Sequence, residues 1–542
     1  MLRNLVPLLL VVLAGCRSVA DVPEPTTWAH TYFVDPESGS DSNDGLTEGT
    51  ALRTLARFDA NGTQHLSMKP DTRVALKRGT VLRLEATVHL HGSDTGWVGY
   101  GTYGDPALPK PLLLGSVAIT AAQWSAPDAN GVRTLDWSPF IDANDGRSPD
   151  GVEQGPGNLW FFESDAPDAR MTGWAWRKQN PLGPGNPRGD AYYDPAARVV
   201  RLVWPDAAPP FTEAGVNRVM IDPSGQAHVL LEDWDLRYGG NYALKGHAVA
   251  HLHVRGVEVS FIGGGTKSQL HGVDQYVRAG NGFEVFGDGS DVVVERCRVH
   301  QAYDTGLDPQ DVSSGDVTMD GVTFRDDLIS YPGLAGFELW ERPDAPFSGT
   351  LRNVTVENDT LLSAGRGWGY EQHDHPGQAK IGAAFLTSTC RGTANGVVVR
   401  HNVIIAPRVV IATDFHPDTR PFFLAFAFDE NLWNLSGGGL GVVLFEGQTG
   451  TLEADLTGSP VFQDLASWQA STDDPGQDAH SVQATAAFDA PLDPVTEDQA
   501  WIFGLPADDP LRPTRLGPFA LRGDYRRTTV TVGTGWGASL AP

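Results

Sequence analysis

Cysteine is almost absent from this chain: there are 3 in 542 residues. One of them, Cys16, closes an N-terminal apolar run. Only Cys297 and Cys390 remain beyond it, so no disulfide framework is implied. After residue 16 no stretch is apolar enough to cross a bilayer. Basic residues are also few, 40 Lys and Arg against 67 Asp and Glu, for a formal charge of −27. That balance argues against nucleic acid as a partner, because a phosphate backbone calls for a basic surface. It speaks more weakly against an anionic polymer as substrate, unless a cation mediates. Helical periodicity is scarce as well. Gly (62) and Pro (38) are plentiful and 41% of residues are hydrophobic, which suits a large, turn-rich β architecture with an ample core.

Residues 1–16 read as an export signal. Arg3 supplies the positive end, and "LVPLLLVVLAG" is too short to span a bilayer stably. The run ends in "LAGC", Leu13 to Cys16, which resembles the lipobox of bacterial lipoproteins. That resemblance implies lipidation at Cys16, anchoring at the cell envelope or surface, and a membrane contact through the lipid. Residue 17 is Arg and not Asp, so by the same resemblance an inner-membrane retention signal is missing. Residues 17–30 then read as a short tether.

From about residue 226 the chain repeats. "LLEDWDLRY", "HVRGVEVSF", "VVERCRVHQ", "TMDGVTFRD", "VTVENDTLL", "VVRHNVIIA" and "AFDENLWNL" each hold two β-type runs about a polar or Gly turn. Aligned on Trp234, Val257, Cys297, Val322, Asn358, Asn402 and Asn431, they recur at 23, 40, 25, 36, 44 and 29 residues. The two shortest spacings suit one solenoid turn, and the longer ones suit the same turn carrying an insertion. A propeller would need four strands per blade, and these turns leave room for two or three. Val, Ile, Phe and Thr favour strands. We therefore expect an all-β, right-handed parallel β-helix. Asn358, Asn402 and Asn431 would share a column and hydrogen-bond along it.

"TYFVDPESGSDSNDGLTEGTALRTLARF", residues 31–58, with "VALKRGTVLRL" and "VGYGTYGDPALPKPLLLGS", resembles the opening segment of the pectin-lyase-like β-helix superfamily. "GQDAHSV", Gly476 to Val482, resembles its closing region. The resemblance implies a short capping helix over Ala51 to Phe58 that hides the open edge. It leaves the reaction open among lyases, hydrolases, epimerases and esterases. The organisation expected is a cap and first rungs over 31–115, a β-rich insertion over 116–225, the main solenoid over 226–450, and final rungs with a closing segment over 451–542. In the insertion Trp174 and Trp176 read as core, and with Arg177 they are placed to overhang a groove.

One motif recurs on the solenoid: "GFEVF" at Gly282, "GFELW" at Gly336 and "GYEQH" at Gly369. Counting from the aligned turns places Lys245, Glu284, Asp308, Glu338, Glu371 and Asp414 in one column. Strand alternation then turns Phe283, Leu307, Phe337 and Tyr370 inward and the carboxylates outward. Gly282, Gly306, Gly336 and Gly369 would form a bare lane open to a ligand. Phe286, Gln310, Trp340 and His373 would form a lane suited to sugar rings. Rungs about 4.8 Å apart crowd the acids, which raises carboxyl pKa values and suits acid/base work on a glycosidic bond. Tyr303 and Asp304 are expected at the groove edge.

These residues point first to a surface-tethered glycoside hydrolase, with Asp308 and Glu338 as the central acid/base pair and Glu284 and Glu371 flanking. No cofactor is required, the substrate is a polysaccharide or oligosaccharide, and a monomer is expected. Carboxylates one rung apart suit retention and those two rungs apart approach inversion. A second reading is a Ca²⁺-dependent uronate lyase or epimerase, with the acids holding Ca²⁺ and Lys245 or Arg278 as base. A third is a non-catalytic glycan-binding or adhesin lipoprotein. "HDH", His373 to His375, has no third ligand to complete a metal site. His251 and His253 read as packed in a strand, and "GSDSNDG", Gly39 to Gly45, as a turn.

Overall fold

The computed structural model describes residues 22–483, apart from 62–65, 67, 142–154, 167–168, 179, 270–275, 311–316, 341–348, 373–380, 389, 436–437, 446–459 and 474–475. Cys16, His373 and the C-terminal residues from 484 lie outside the described part.

The chain visits three long sheets in strict rotation. Strand Thr72–Lys77 belongs to the first, Val81–Arg83 to the second and Val88–His89 to the third, and the next coil repeats the order. Among the described residues the first sheet has 11 strands, and the second and third have 10 each. Pairing within the solenoid is parallel from coil to coil, as between Val98–Tyr103 and Ala227–Glu232, until Val461–Phe462 at the far end runs antiparallel to Leu440–Phe445. This is a parallel β-helix, and crossovers between parallel strands take the right hand. The core is the column of inward residues. Phe324, Phe337, Phe385 and Phe428 follow one another through it at 5.8, 6.1 and 5.6 Å between ring centroids.

The coils are locked at the corner between the first and second sheets. In each, one residue of positive φ makes the bend, including Asp233, Gly256, Arg296, Asp326, Asn358, His401 and Glu430. Non-Gly residues in this region cost about 1–2 kcal/mol each, so the corner needs compensation. The residue after the bend supplies it. Its side chain accepts the backbone N–H of its counterpart one coil back: Asp327 from Cys297 (2.6 Å), Asp359 from Asp327 (2.7 Å), Asn402 from Asp359 (2.9 Å), Asn431 from Asn402 (3.0 Å) and Ser481 from Asn431 (2.9 Å). The expected asparagine ladder exists, with its register corrected. Asp327 and Asp359 hold the places assigned to Val322 and Asn358. Val322 is a core residue of the first sheet, and Asn358 is the bend itself.

The cap also differs from expectation. Ala51 to Phe58 does not form an α-helix. Leu52 bridges Val34, and 3₁₀ turns Glu48–Thr50 and Ala56–Phe58 flank it. Leu52, Leu55 and Phe58, three residues apart, all plug the core, and that spacing fits the three-residue turn of a 3₁₀ helix. At the other end Leu465–Gln469 buries Leu465 and Trp468, and "GQDAHSV" carries Ser481, the last step of the ladder.

The insertion leaves the second sheet at Leu112–Leu114 and returns to the third at Ile221–Asp222. It forms two four-stranded sheets, Met171–Trp174 with Leu159–Phe162, Phe211–Gly215 and Ser116–Thr120, and Trp176–Lys178 with Asp190–Asp194, Val199–Val203 and Val132–Asp136. Trp174 is buried in its contact with the solenoid, beside Trp160, Tyr303 and Trp368. The tether is docked, not loose, from Val22 onward. Trp97 Nε1 donates to Val22 O (2.6 Å), Glu24 pairs with His253 and Arg255, and Ala29 N donates to Asp71 O (2.9 Å).

Asp327 and Asp359 are fully buried, and burial, joined for Asp327 by its neighbour Asp359, pushes both carboxyls well above the usual range. Asn402 and Asn431 use their amides to donate to Val356 O and Val399 O. The Oδ2 atoms of Asp327 and Asp359 have no partner among the described residues. A protonated acid would donate as the amide does. Because folding raises these pKa values above the unfolded value of about 3.9, the cost of keeping the acids grows as pH rises from there. Asp327→Asn is therefore expected to raise Tm at pH 7 by roughly 2 °C or more and to leave it almost unchanged at pH 3.5. An equal or lower Tm at pH 7 would contradict this.

Candidate functional site

On the third sheet the four-residue pattern x-Gly-apolar-acid sits at the corner entering three successive strands, Phe283–Phe286, Thr305–Gln310 and Ala335–Trp340. Register places Lys245 beside Glu284, Glu284 beside Asp308, and, through Leu307 and Phe337, Asp308 beside Glu338. Phe283, Leu307 and Phe337 point into the core, so the acids point outward. Past Glu338 the column continues as Leu386, Ala412 and Val443. The acidic row thus occupies three consecutive rungs and stops.

Two expected members are displaced. Glu371 ends a short helix, Trp368–Glu371, within a segment that leaves the solenoid after Thr360–Leu362 and returns at Ala383–Ser388. Gly365, Gly367 and Gly382, all with positive φ, make that excursion possible. Tyr370 goes with it, and Phe385 takes the expected core position. Asp414 lies two residues beyond Ala412 and accepts the His416 N–H at 3.2 Å.

The glycine lane is a packing requirement and not an open floor. A Cβ on Gly306 would lie 2.3 Å from Ile329 Cγ2, and one on Gly282 would lie 2.7 Å from Val299 Cγ1. The strand bends here, so the side chain at this position is directed at the core. Gly369 is in the excursion. The residue three before the charged one faces the acids instead, which gives the site three members that the sequence reading missed: Tyr242 before Ala243, Asn281 before Gly282 and Thr305 before Gly306.

Asn281 Nδ2 donates to Glu284 Oε2 (2.8 Å) and to Asp308 Oδ2 (2.5 Å), tying two acids together. Gln310 Nε2 donates to Asp308 Oδ2 (2.7 Å), and Thr305 Oγ1 to Glu338 Oε2 (2.7 Å). Lys245 pairs with Glu284, and its ammonium lies 4.1 Å from the Tyr242 ring centre and 4.5 Å from that of Phe286. Burial, followed by Glu284, Asp304, Asp308 and Glu338, pushes the Tyr242 hydroxyl well above its ordinary pKa. That places the phenol among four acids. A constant signal marked these residues: Lys245, Asp308 and Glu338 each lie 11 residues after a ladder residue, Trp234, Cys297 or Asp327.

The row is buried, not solvated. Glu284 and Asp308 are 0% exposed and Glu338 is 6% exposed. Taking a carboxylate out of water costs several kcal/mol even after relaxation. The same column three rungs on is filled by aliphatic residues, so the fold itself has no use for acids here. Among the other predicted residues, Phe286 and Trp340 are half-buried on the same face. Asp304 is half-buried at the corner. Tyr303 is fully buried in the contact with the insertion and does not line an edge. Arg278 is buried behind it, 4.6 Å over the Tyr303 ring. Among the described residues no group of three or more His, Cys, Asp and Glu side chains is placed to hold a metal ion.

The three parallel sheets visited in rotation make the fold a parallel β-helix. Among solved structures the chain is similar to a glycoside hydrolase at 11% identity, covering 78% of this chain and 95% of that one with a TM-score of 0.43. It is similar to the GH136 lacto-N-biosidase from Eubacterium ramulus at 13% identity and TM-score 0.38, covering 77% of this chain but only 58% of that one. A rhamnogalacturonan lyase matches at 11% identity and TM-score 0.36, over 77% of each chain. No family model and no curated protein matches the chain. Likeness of this degree assigns no reaction, which must come from the site.

Removing the ammonium alone leaves Glu284 buried beside two acids. Lys245→Met is expected to cost about 3–5 kcal/mol in unfolding free energy. Lys245→Met/Glu284→Leu should regain most of it, since Leu386 shows that the column accepts leucine. Chemical denaturation compares the two, and a double variant no more stable than the single would contradict this electrostatic reading.

Proposed function

We propose that this chain is a glycan-cleaving enzyme, a glycoside hydrolase that works with Asp308 and Glu338. The observation that carries the reading is the set of three buried acids on adjacent rungs of a column that turns aliphatic past Glu338, at Leu386, Ala412 and Val443. Asp308 accepts two amide N–H groups on one oxygen, which favours its ionised form. It is suited to be nucleophile or base. Glu338, one rung away, accepts a hydroxyl from Thr305 and is suited to protonate the leaving oxygen. Neighbouring rungs are about 4.8 Å apart, near the ~5–5.5 Å carboxyl separation of retaining enzymes. In that geometry Asp308 adds to the anomeric carbon while Glu338 gives its proton to the departing sugar. Glu338 then takes a proton from water as it displaces Asp308. Phe286 and Trp340 offer ring faces beside the pair. Glu284, paired with Lys245, contributes fixed negative charge next to a developing oxocarbenium ion.

The lyase reading is weaker on the same geometry. Its bases would be Lys245, held against Glu284, and Arg278, whose Nε donates to Gly264 O at 2.7 Å. An adhesin would retain sugars without changing them. Lipid attachment at Cys16 remains our proposal for how the enzyme is held at the envelope, and Cys16→Ser should release it from membranes.

A glycan panel read both for reducing ends and for absorbance at 235 nm separates the readings, since only a lyase forms the unsaturated product. On the glycan found, Glu338→Gln and Asp308→Asn are each expected to lose at least ~10²-fold in kcat, with Tm held or raised. A fully active, folded Glu338→Gln would overturn the assignment.

A further inference from the structure

Two side-chain amides hold the acidic row, and one of them is only half used. Asn281 uses both ends. Its Oδ1 accepts the Thr305 N–H at 3.0 Å, and its Nδ2 donates to Glu284 Oε2 at 2.8 Å and to Asp308 Oδ2 at 2.5 Å. Gln310 uses one end. Its Nε2 donates to the same Asp308 Oδ2 at 2.7 Å, while its Oε1 is buried and has no hydrogen-bond partner. The residue is 6% exposed, and its backbone carbonyl accepts the Gly287 N–H at 3.2 Å, which holds the strand against its neighbour.

The Gln310 amide has one workable orientation. Turned over, it would set Oε1 against the Asp308 carboxylate, acceptor against acceptor. A buried acceptor left unpaired costs about 1–3 kcal/mol. A fold that needed only a donor here could have taken it from a hydroxyl, as Glu338 does from Thr305. Register puts Gln310 beside Phe286 on one rung and, through Leu307 and Phe337, beside Trp340 on the next. Both of those rings are half-buried. The residue with the unpaired acceptor therefore lies between two aromatic residues and in direct contact with Asp308.

We propose that Gln310 is a specificity-determining residue whose Oε1 accepts a hydrogen bond from the C2 substituent of the sugar being cleaved. The inference rests on the reading of Asp308 as the group that attacks the anomeric carbon. That carbon has two neighbours in the ring. One is the ring oxygen, which carries no hydrogen, and the other is C2. The C2 substituent is thus the nearest group that can bring a donor to an acceptor set against the attacking carboxylate, and a hydroxyl or an acetamido N–H would serve. Gln310 and Asp308 are buried together, so a sugar admitted to one is admitted to the other. A hydrogen bond at C2 strengthens as the oxocarbenium ion develops. A sugar without that donor leaves the acceptor unpaired again, and sites built for a donor reject such analogues.

The test compares kcat/KM for matched substrates that carry hydroxyl, acetamido or hydrogen at C2 of the sugar cleaved. The wild type should lose at least ~10-fold when C2 carries hydrogen, and the faster of the other two names the donor. Gln310→Met removes both ends of the amide. It should lower turnover of all three substrates, since Asp308 loses a donor, and shrink the preference over the 2-deoxy substrate at least ~10-fold. Gln310→Glu keeps an acceptor in either protonation state and should retain the preference while turnover falls. A wild type that cleaves the 2-deoxy substrate as well as the others, or an undiminished preference in Gln310→Met, would refute the inference and leave the hydrolase reading standing. No turnover by the wild type on any glycan would sink the hydrolase reading itself, and this role of Gln310 with it.

Discussion

Everything in this molecule depends on one constraint, the in-register stacking of parallel strands at about 4.8 Å. Once coils are stacked without slippage, a residue type at one position of the repeat becomes a column. The corner ladder from Cys297 through Asp327, Asp359, Asn402 and Asn431 to Ser481 enforces that register, because each side chain takes a backbone N–H from the coil before it. A slip of one residue would break these bonds and turn the phenylalanine stack out of the core.

The same constraint makes the acidic row both costly and useful. Glu284, Asp308 and Glu338 cannot move apart, since the strands that carry them are hydrogen-bonded along their length. Burial sharpens their mutual field. The fold offsets this with specific donors, Asn281 between two acids, Gln310 on Asp308, Thr305 on Glu338 and Lys245 on Glu284. Past Glu338, at Leu386, Ala412 and Val443, the column becomes aliphatic and the corner position that holds Asn281 and Thr305 is taken by Ala383, Val409 and Leu440.

The architecture was legible because it rests on patterns of period two and on turn residues, both visible in one dimension. Glu284, Asp308 and Glu338 were legible for the same reason. Glu371 was misplaced because a Gly-aromatic-Glu triplet looks alike in a strand and in a helix, and the glycines that launch the excursion, Gly365 and Gly367, act through φ. The ladder was misread by a few residues because Asn358 and Asp359 are both good turn formers, and only the bend decides which one points inward. Glycine 306 looked like an open lane because alternation was carried through a corner where the strand bends. Asn281, Thr305 and Tyr242 were missed for that reason as well. Burial of the row was not readable at all, since it depends on what packs over the sheet from distant parts of the chain.

The central claim is that the buried row on adjacent rungs performs covalent chemistry on a sugar. A mechanism-based inactivator of the matching glycone, such as a cyclitol epoxide, followed by peptide mapping, addresses it directly. The account predicts stoichiometric labelling on Asp308, with the label lost in Asp308→Asn. Labelling on Glu371 or Asp414, which lie outside the row, would contradict it.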